Sequence, residues 1–176
     1  MKRVAKFEKV SPENFKKSMS ELFNSITDVT IDTDVFDINY MYDLLKLPKS
    51  ATKFSAGYDF YAPIGFELDP GETIKIPTGI RCGMNTSWVL MIYPRSGLGF
   101  KYKVRLDNTV GVIDADYYFS DNEGHIFIKI TNEGNKAVHI KQGDAFAQGI
   151  FMEYGITEDD CVESDRNGGF GSTDKK

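Results

Sequence analysis

Residues that build disulfide frameworks and metal sites are scarce in this sequence, which has two cysteines and two histidines among 176 residues. A pair of cysteines, Cys82 and Cys161, favours reduced thiols in the cytoplasm over a disulfide. His125 and His139 have no Cys or His partner at metal-ligand spacing, so we interpret both as ordinary strand or surface residues.

Long apolar runs are also missing. The longest, Trp88 to Tyr93, is far shorter than the ~20 residues that span a bilayer. The N-terminal sequence MKRVAKFEKV is basic, but no apolar stretch follows it, which does not fit a signal peptide. We therefore expect a cytoplasmic protein with no membrane partner.

Basic residues are fewer than acidic ones, so the formal net charge is −5. This balance argues against a general nucleic-acid binder, so no nucleic-acid partner is expected. The stretch 95–105 nevertheless contains two arginines and two lysines and no acidic residue. A local basic patch on an acidic protein suits a small polyanion better than a long one.

The N-terminal part of the chain predicts one strand and one helix. Residues 3–10 resemble a strand, and Ser11-Pro12-Glu13 is typical of a helix start. Apolar residues at helical spacing then predict a helix over 12–26. The Asp-rich stretch 27–39 is interpreted as a solvated loop or edge strand, and residues 36–47 fit either a short helix or an extended segment.

From Ala56 onward, short strand-like segments alternate with turns. Sixteen Gly, thirteen Phe and nine Tyr also favour β-structure. Strand-sized segments at regular spacing predict a sandwich or jelly roll. We expect one β domain over residues 1–164, including the helix, followed by a flexible Gly-rich segment over 165–176.

Five short blocks stand out in order along the chain. They are AGYDFYA (56–62), PRSGLGFK (94–101), NTVGVIDADY (108–117), GDAFAQGIF (143–151) and RNGGFGST (166–173). Together they resemble the five motifs of the homotrimeric dUTPase family over about two thirds of the chain. The resemblance implies an all-β jelly-roll barrel that assembles as a homotrimer. It also implies an Mg²⁺-dependent enzyme that splits dUTP into dUMP and pyrophosphate by water attack on the α-phosphate.

The second block has the chemistry of a phosphate site. Arg95 offers a planar fork of donors that suits phosphate oxygens. Ser96 adds a hydroxyl, and Gly97 adds a backbone amide that a phosphate can approach closely. The resemblance implies that these three residues hold the triphosphate.

The third block contains the proposed catalytic carboxylate. Hydrolysis of a phosphoanhydride needs a water in line with the phosphorus, and a carboxylate can orient and deprotonate that water. The resemblance assigns this role to Asp114. It also implies that Tyr117 packs on the deoxyribose and excludes a 2′-hydroxyl, and that Asn108 and the main chain around Gly111 recognise uracil.

The first and fourth blocks contribute two polar side chains. By resemblance, Asp59 binds a water of the Mg²⁺ shell, since Mg²⁺ usually keeps several waters. Gln148 resembles the glutamine that lies near the α-phosphate and the attacking water. A structural hydrogen-bonding role is the alternative for each.

The fifth block predicts a lid that closes over the nucleotide. Glycines surround its one apolar side chain, Phe170, which can stack on the base. The resemblance implies that Ser172 and Thr173 supply hydroxyls and amides for the terminal phosphate and that Arg166 adds a charge. Gly171 is a further expected substrate-binding residue.

Three departures from the family pattern are visible. Arg166 lies four residues before Phe170, where many members have five, and Ala145 replaces the usual Arg of the fourth motif. After Tyr117 the common x-Gly-Glu is replaced by YFSDNEGH, a small insertion.

Two alternative functions remain open. The related dCTP deaminases share the fold but rely on a carboxylate on the strand after the third motif, and that strand, HIFIKI, has none. A non-catalytic regulatory module of the same fold would be expected to lose Asp114 or the Gly-rich tail, and this sequence keeps both.

Overall fold

The computed structural model of the protein describes residues 2–26, 29–31 and 37–162. Short antiparallel strands dominate these residues, with two helices near the N-terminus and one after β8. The strands are β1 (Ala5–Lys9), β2 (Thr30–Ile31), β3 (Lys49–Ser50), β4 (Tyr58–Tyr61), β5 (Phe66–Leu68), β6 (Thr73–Pro77), β7 (Ile80–Met84), β8 (Trp88–Pro94), β9 (Val104–Leu106), β10 (Gly111–Ile113), β11 (Phe127–Asn132), β12 (Val138–Ile140) and β13 (Ala145–Glu153). The helices are α1 (Pro12–Ser25), α2 (Ile38–Asp43) and α3 (Ser96–Tyr102), and a 3₁₀ turn spans Ala115–Phe119.

The central layer is a five-stranded sheet in the order β10-β8-β13-β4-β3. The long strand β13 pairs antiparallel with β8 from Ala147 opposite Pro94 to Glu153 opposite Trp88. Its other edge pairs with β4, with a register shift between Ala145 and Ala147. This sheet matters for function because the first four of the five sequence blocks meet on it.

Smaller sheets close the barrel around the apolar interior. Their orders are β6-β11-β9, β12-β5-β2 and β1-β7, with antiparallel pairing in each. Alternate residues of the strands point inward, and Phe60, Leu90 and Ile128 among them are at most 1% exposed. The predicted all-β jelly-roll barrel with a short N-terminal helix is therefore confirmed.

The predicted helix start is confirmed in detail. The Ser11 side chain accepts a hydrogen bond from the Asn14 backbone N–H, and Pro12 occupies the first turn. Helix α1 ends at Ser25, one residue before the predicted end. Its apolar stripe, including the buried Phe15 and Met19, packs into the hydrophobic core.

Two open points near the N-terminus are settled by the structure. Residues 38–43 form a helix, α2, because the Asp37 carboxylate accepts hydrogen bonds from the backbone N–H groups of Asn39 and Tyr40. Thr30 and Ile31 form an edge strand against β5. The rest of the Asp-rich stretch falls partly outside the described residues, including Asp28, Asp32 and Asp34.

The interpretation of His125 as an ordinary strand or surface residue is wrong. His125 is fully buried in the turn before β11, and its Nε2 accepts a 2.8 Å hydrogen bond from the Gly79 N–H. Its Nδ1 lies 2.9 Å from the Asn14 Oδ1 on α1. Burial lowers the pKa of His125 to about 4. The residue therefore connects α1 to the barrel as a neutral imidazole.

The remaining sequence-based expectations have mixed outcomes. His139 lies on β12 with an exposed ring 3.3 Å from Glu67, and Cys82 and Cys161 are both free thiols. No helix in the described ranges has the length and apolar character needed to cross a membrane. The segment predicted to act as a C-terminal lid, with Arg166, Phe170, Gly171, Ser172 and Thr173, lies outside the described residues.

Candidate active site

The first half of the candidate site is a polar cluster where β4, β8 and β13 lie side by side. The strand register places Gln148 opposite both Asp59 and Tyr93. Arg95, the residue after β8, forms an ion pair with Asp59 at 3.2 Å between Nε and Oδ1. Its Nη1 donates to the carbonyl oxygen of Ala145 at 3.3 Å. Three sequence blocks therefore converge on one arginine.

The guanidinium of Arg95 is held but not enclosed. Its side chain is 43% exposed, whereas that of Asp59 is 16% exposed. The ion pair orients the guanidinium plane, and the exposed side can still donate to an incoming anion. Ser96 and Gly97 follow as the first residues of α3, and a Cβ placed on Gly97 would meet nothing within 4 Å. An anion can therefore approach this backbone without obstruction.

Gln148 is fixed in the same cluster. Its Nε2 donates to the carbonyl oxygen of Pro94 at 3.1 Å. Its Oε1 lies where a side chain at position 57 would otherwise be, because a Cβ on Gly57 would come within 2.7 Å of that oxygen. The glycine of the first block therefore makes space for the glutamine of the fourth.

The second half of the site is a concavity of about 490 Å³ beside the turn that joins β9 to β10. Three residues of the third block line it: Asn108, Gly111 and Tyr117. The chain between β9 and β10 turns sharply at Thr109, which has φ of 65°, and the Val110 N–H donates to the Asn108 carbonyl oxygen at 2.6 Å. The third block therefore gives the concavity backbone groups, the Asn108 amide and the Tyr117 ring.

Tyr117 forms a wall of this concavity. Its side chain is only 4% exposed, and its hydroxyl donates to the His125 carbonyl oxygen at 2.8 Å. The sequence blocks did not predict that Phe127, Lys75 and Lys129 also line the space. The sequence could have indicated two of these residues, because Phe127 and Lys129 are two residues apart on β11 and therefore lie on the same face of the strand.

Asp114 follows the last residue of β10 and precedes the 3₁₀ turn Ala115–Phe119. Its side chain makes no capping hydrogen bond to that turn, so Asp114 does not act as a cap. Together with Asp116 and Tyr154, it lines a neighbouring concavity of about 500 Å³. Val112 lies between the two spaces and lines both.

The register of β8 and β10 separates Asp114 from Arg95 within one chain. Ile113 lies opposite Leu90, so Asp114 is next to the start of β8, whereas Arg95 follows its end. The six residue steps from position 89 to position 95 span ~20 Å at ~3.3 Å each. The structure therefore brings Asp59, Arg95 and Gln148 together, but places Asp114 far from them in the same chain.

Comparison with known proteins assigns the family. The dUTPase family model matches residues 43–174, about three quarters of the chain. This chain belongs to the dUTPase family. The matched region contains all five sequence blocks, and residues 1–42 lie outside it.

Sequence relatives and solved structures agree with this assignment. The deoxyuridine 5′-triphosphate nucleotidohydrolase of Lactococcus lactis subsp. lactis (strain IL1403) is 42% identical over 132 residues, covering 73% of this chain and 88% of the bacterial protein. That of Haemophilus influenzae (strain PittEE) is 40% identical, covering 74% and 88%. The crystal structure of dUTPase from Streptococcus mutans superposes with a TM-score of 0.59 and 34% identity, covering 75% of this chain and 99% of that one.

A phage protein shares the fold at lower identity. A mutant form of the dUTPase from phage phi11 of S. aureus superposes with a TM-score of 0.57 at 20% identity, covering 78% of this chain and 98% of that chain. At this identity the likeness concerns the fold alone. The barrel is therefore retained across family members that differ widely in sequence.

Proposed function

We propose that this protein hydrolyses dUTP to dUMP and pyrophosphate. The observation that supports this most is the concavity at the β9–β10 turn, in a chain of the dUTPase family. The Asn108 amide and the backbone near Gly111 offer fixed donors and acceptors for uracil. Tyr117 offers a flat apolar surface for the deoxyribose. A pocket with this polarity rejects a wrongly patterned base, because buried polar groups would be left without partners.

The proposed reaction is an in-line attack of water on the α-phosphorus. Asp114 orients that water and accepts its proton, and Gln148 helps to position the water and the α-phosphate. Arg95, Ser96 and the amide of Gly97 donate to the phosphate oxygens on which charge develops as pyrophosphate leaves. Since these donors are held by the barrel, little reorganisation is needed as the reaction proceeds.

Mg²⁺ is the proposed cofactor. The part of the chain that the structure describes has no group of three or more Asp, Glu, His or Cys that could form a cage for a metal ion. Mg²⁺ takes ligands from phosphate oxygens and water and needs few from the protein. Asp59 would hold one such water through its carboxylate. Bound to the triphosphate, the ion supplies charge neutralisation.

A homotrimer is the proposed assembly, because Arg95 and Asp114 of one chain are ~20 Å apart along β8. Both can act on one triphosphate only if different chains supply them. Exposed apolar side chains near the Asp114 concavity, including Val112 at 54% and Tyr154 at 46%, suit such an interface. Light scattering on the active enzyme should therefore give the mass of three chains. An active monomer would exclude the shared site.

The substrate assignment predicts strong selectivity. Among dUTP, UTP, dTTP and dCTP, only dUTP should be turned over efficiently, because in the proposed binding mode Tyr117 excludes a 2′-hydroxyl and the turn before β10 excludes a 5-methyl group. Release of pyrophosphate should be measured for each nucleotide with Mg²⁺ and after its removal by EDTA. Equal kcat/KM for UTP, or release of ammonia from dCTP, would contradict the proposal. We place the reaction in the cytoplasm, where Cys82 and Cys161 would stay reduced.

The Gly-rich C-terminal block is proposed to act as a lid. A chain that ends at Asn167 should fold and assemble normally, but its kcat should fall by at least ~10-fold, or ~1.4 kcal/mol of transition-state stabilisation. The reason is the loss of Phe170 from the base and of Ser172 and Thr173 from the terminal phosphate. Phe170→Ala should show a smaller loss. Steady-state kinetics on both variants tests this, and an unchanged kcat in the truncated chain would remove the lid from the mechanism.

A further inference from the structure

The insertion after Tyr117 contacts the hydroxyl of Tyr117 itself. Asn122 lies in this insertion, and its Nδ2 donates to the Tyr117 hydroxyl oxygen at 2.7 Å. The Tyr117 hydroxyl in turn donates to the carbonyl oxygen of His125 at 2.8 Å. A ring held at its far end in this way cannot swing about its Cα–Cβ bond without breaking two hydrogen bonds. The sequence motif accounts for Tyr117 but not for this support.

Asn122 is itself held within the insertion. Its Oδ1 accepts hydrogen bonds from the Ser120 hydroxyl at 2.7 Å and from the Gly124 N–H at 3.2 Å. The turn closes at Gly124, where φ is +70° and a Cβ would come within 2.7 Å of the Tyr118 Cα. Only glycine fits there. The amide of Asn122 therefore has a set orientation, with the oxygen toward the loop and the nitrogen toward Tyr117.

The N-terminal helix supports the insertion from the other side. The Glu123 carboxylate accepts from both the N–H of Ser11, at 2.7 Å, and its hydroxyl, at 2.6 Å. Burial alone would raise the pKa of Glu123, but the hydrogen bonds from Ser11, together with the nearby Arg81 and His125, outweigh it and the pKa is lowered. Asn14 adds a hydrogen bond from its Nδ2 to the Asn122 carbonyl oxygen at 3.1 Å. Ser11 and Asn14 lie in the region that the family model does not match.

We infer that Asn122 is a positioning residue that sets sugar specificity by holding the Tyr117 ring against the 2′ face of the deoxyribose. The inference rests on the proposed function, since it concerns how the same pocket rejects a ribonucleotide. A 2′-hydroxyl can be accommodated only if the ring moves away from the sugar. The rigidity of the wall therefore determines how strongly UTP is rejected, and Asn122 supplies part of that rigidity.

The test compares kcat and KM for dUTP and UTP in the wild-type protein and in Asn122→Ala. The expected result is an about 3- to 10-fold fall in the ratio of kcat/KM for dUTP to that for UTP, the size of one net hydrogen bond. The change should come mainly from a lower KM for UTP, with kcat for dUTP nearly unchanged. Asp121→Ala, an exposed neighbour in the same insertion, is the matched control and should keep the wild-type ratio.

A second variant shows whether Asn122 acts through the tyrosine. Tyr117→Phe keeps the ring and removes only the hydroxyl, so it should lower the same ratio even if Asn122→Ala does not fold. In the double variant, Asn122→Ala should then have no further effect on the ratio. An unchanged ratio in a folded Asn122→Ala protein, or a full additional effect in the double variant, would overturn the inference. Turnover of dUTP by the wild-type protein tests the proposed function independently of the inference about Asn122.

Discussion

Replacing Asp114 by Asn should lower kcat for dUTP by about 100-fold or more, while binding of the nucleotide changes little. The amide keeps the shape of the carboxylate but cannot accept a proton from the attacking water, and general-base catalysis contributes ~10²–10⁴-fold. Single-turnover kinetics, together with titration of a non-hydrolysable dUTP analogue, separates the chemical step from affinity. The expected result is a protein that binds the analogue as the wild type does and turns dUTP over very slowly.

Two further carboxylate-to-amide changes test whether the effect is specific to Asp114. Asp121→Asn changes an exposed residue of the insertion and should keep wild-type kinetics. Asp116→Asn changes the second acid of the same block, which lines the same concavity as Asp114. If Asp116→Asn lost turnover and Asp114→Asn did not, the assignment of the base would be wrong. Equal thermal unfolding of all three variants would show that the barrel is intact.

The second large effect is an expected loss of folding stability in mild acid, caused by the buried, neutral His125. The Gly79 N–H can only donate, so Nε2 must accept and has no proton in the folded state. The ring is fully buried between α1 and the barrel, and burial lowers its pKa from the usual 6.5 to about 4, with a smaller opposing effect of Glu123 and a small lowering by Lys75. Protonation would break the bond to Gly79.

The lowered pKa of His125 determines the pH range in which the folded protein loses stability. Between pH 6.5 and 4 the unfolded chain binds a proton at this site and the folded protein does not, so stability falls as pH falls. The contribution of His125 is fully present above pH 6.5. The expected loss is about 2 kcal/mol between pH 7 and pH 5, and on the order of 3 kcal/mol by pH 4. Carboxylates with lowered pKa values, such as Glu123, contribute to the loss only at the acidic end of this range.

Urea unfolding at pH 7, 6 and 5, at one protein concentration, measures this dependence. His125→Gln keeps an acceptor for Gly79 but cannot be protonated in this range, so its stability should be nearly independent of pH between 7 and 5. His139→Gln, at an exposed position on β12, should retain the wild-type dependence. If His125→Gln kept the full wild-type slope, another group would be responsible for the acid sensitivity.

Local signals in the sequence predicted the features that depend on neighbouring residues. The start of α1 follows from Ser11 and Pro12, because capping is decided within one helical turn. A β-rich sandwich or jelly roll follows from short apolar segments separated by turns, and the family resemblance implied the barrel. The residues of the candidate site were proposed from five blocks in order, of which the first four lie in the described part of the chain and converge on one sheet or the turn before β10.

Other features could not be predicted because they depend on contacts between distant parts of the chain. The interpretation of His125 fails since its partners, Asn14 and Gly79, are 111 and 46 residues away. The sequence does not decide the conformation of residues 38–43, because six residues without a strong periodic pattern favour no conformation until Asp37 caps them. The insertion after Tyr117 is visible as a departure from the family pattern, but its contacts with Ser11 and Asn14 are not.

The sequence by itself therefore determined the family and the β-barrel fold, and it proposed Asp59, Arg95, Asp114 and Gln148 as site residues, because these inferences depend on residue type and order along the chain. Only the tertiary structure decided that Asp59, Arg95 and Gln148 form one cluster while Asp114 lies ~20 Å away along β8. It also decided that Asn122 holds Tyr117. The physical reason is that strand register and side-chain hydrogen bonds over long separations are set when the barrel packs, and no local pattern specifies which partners will meet.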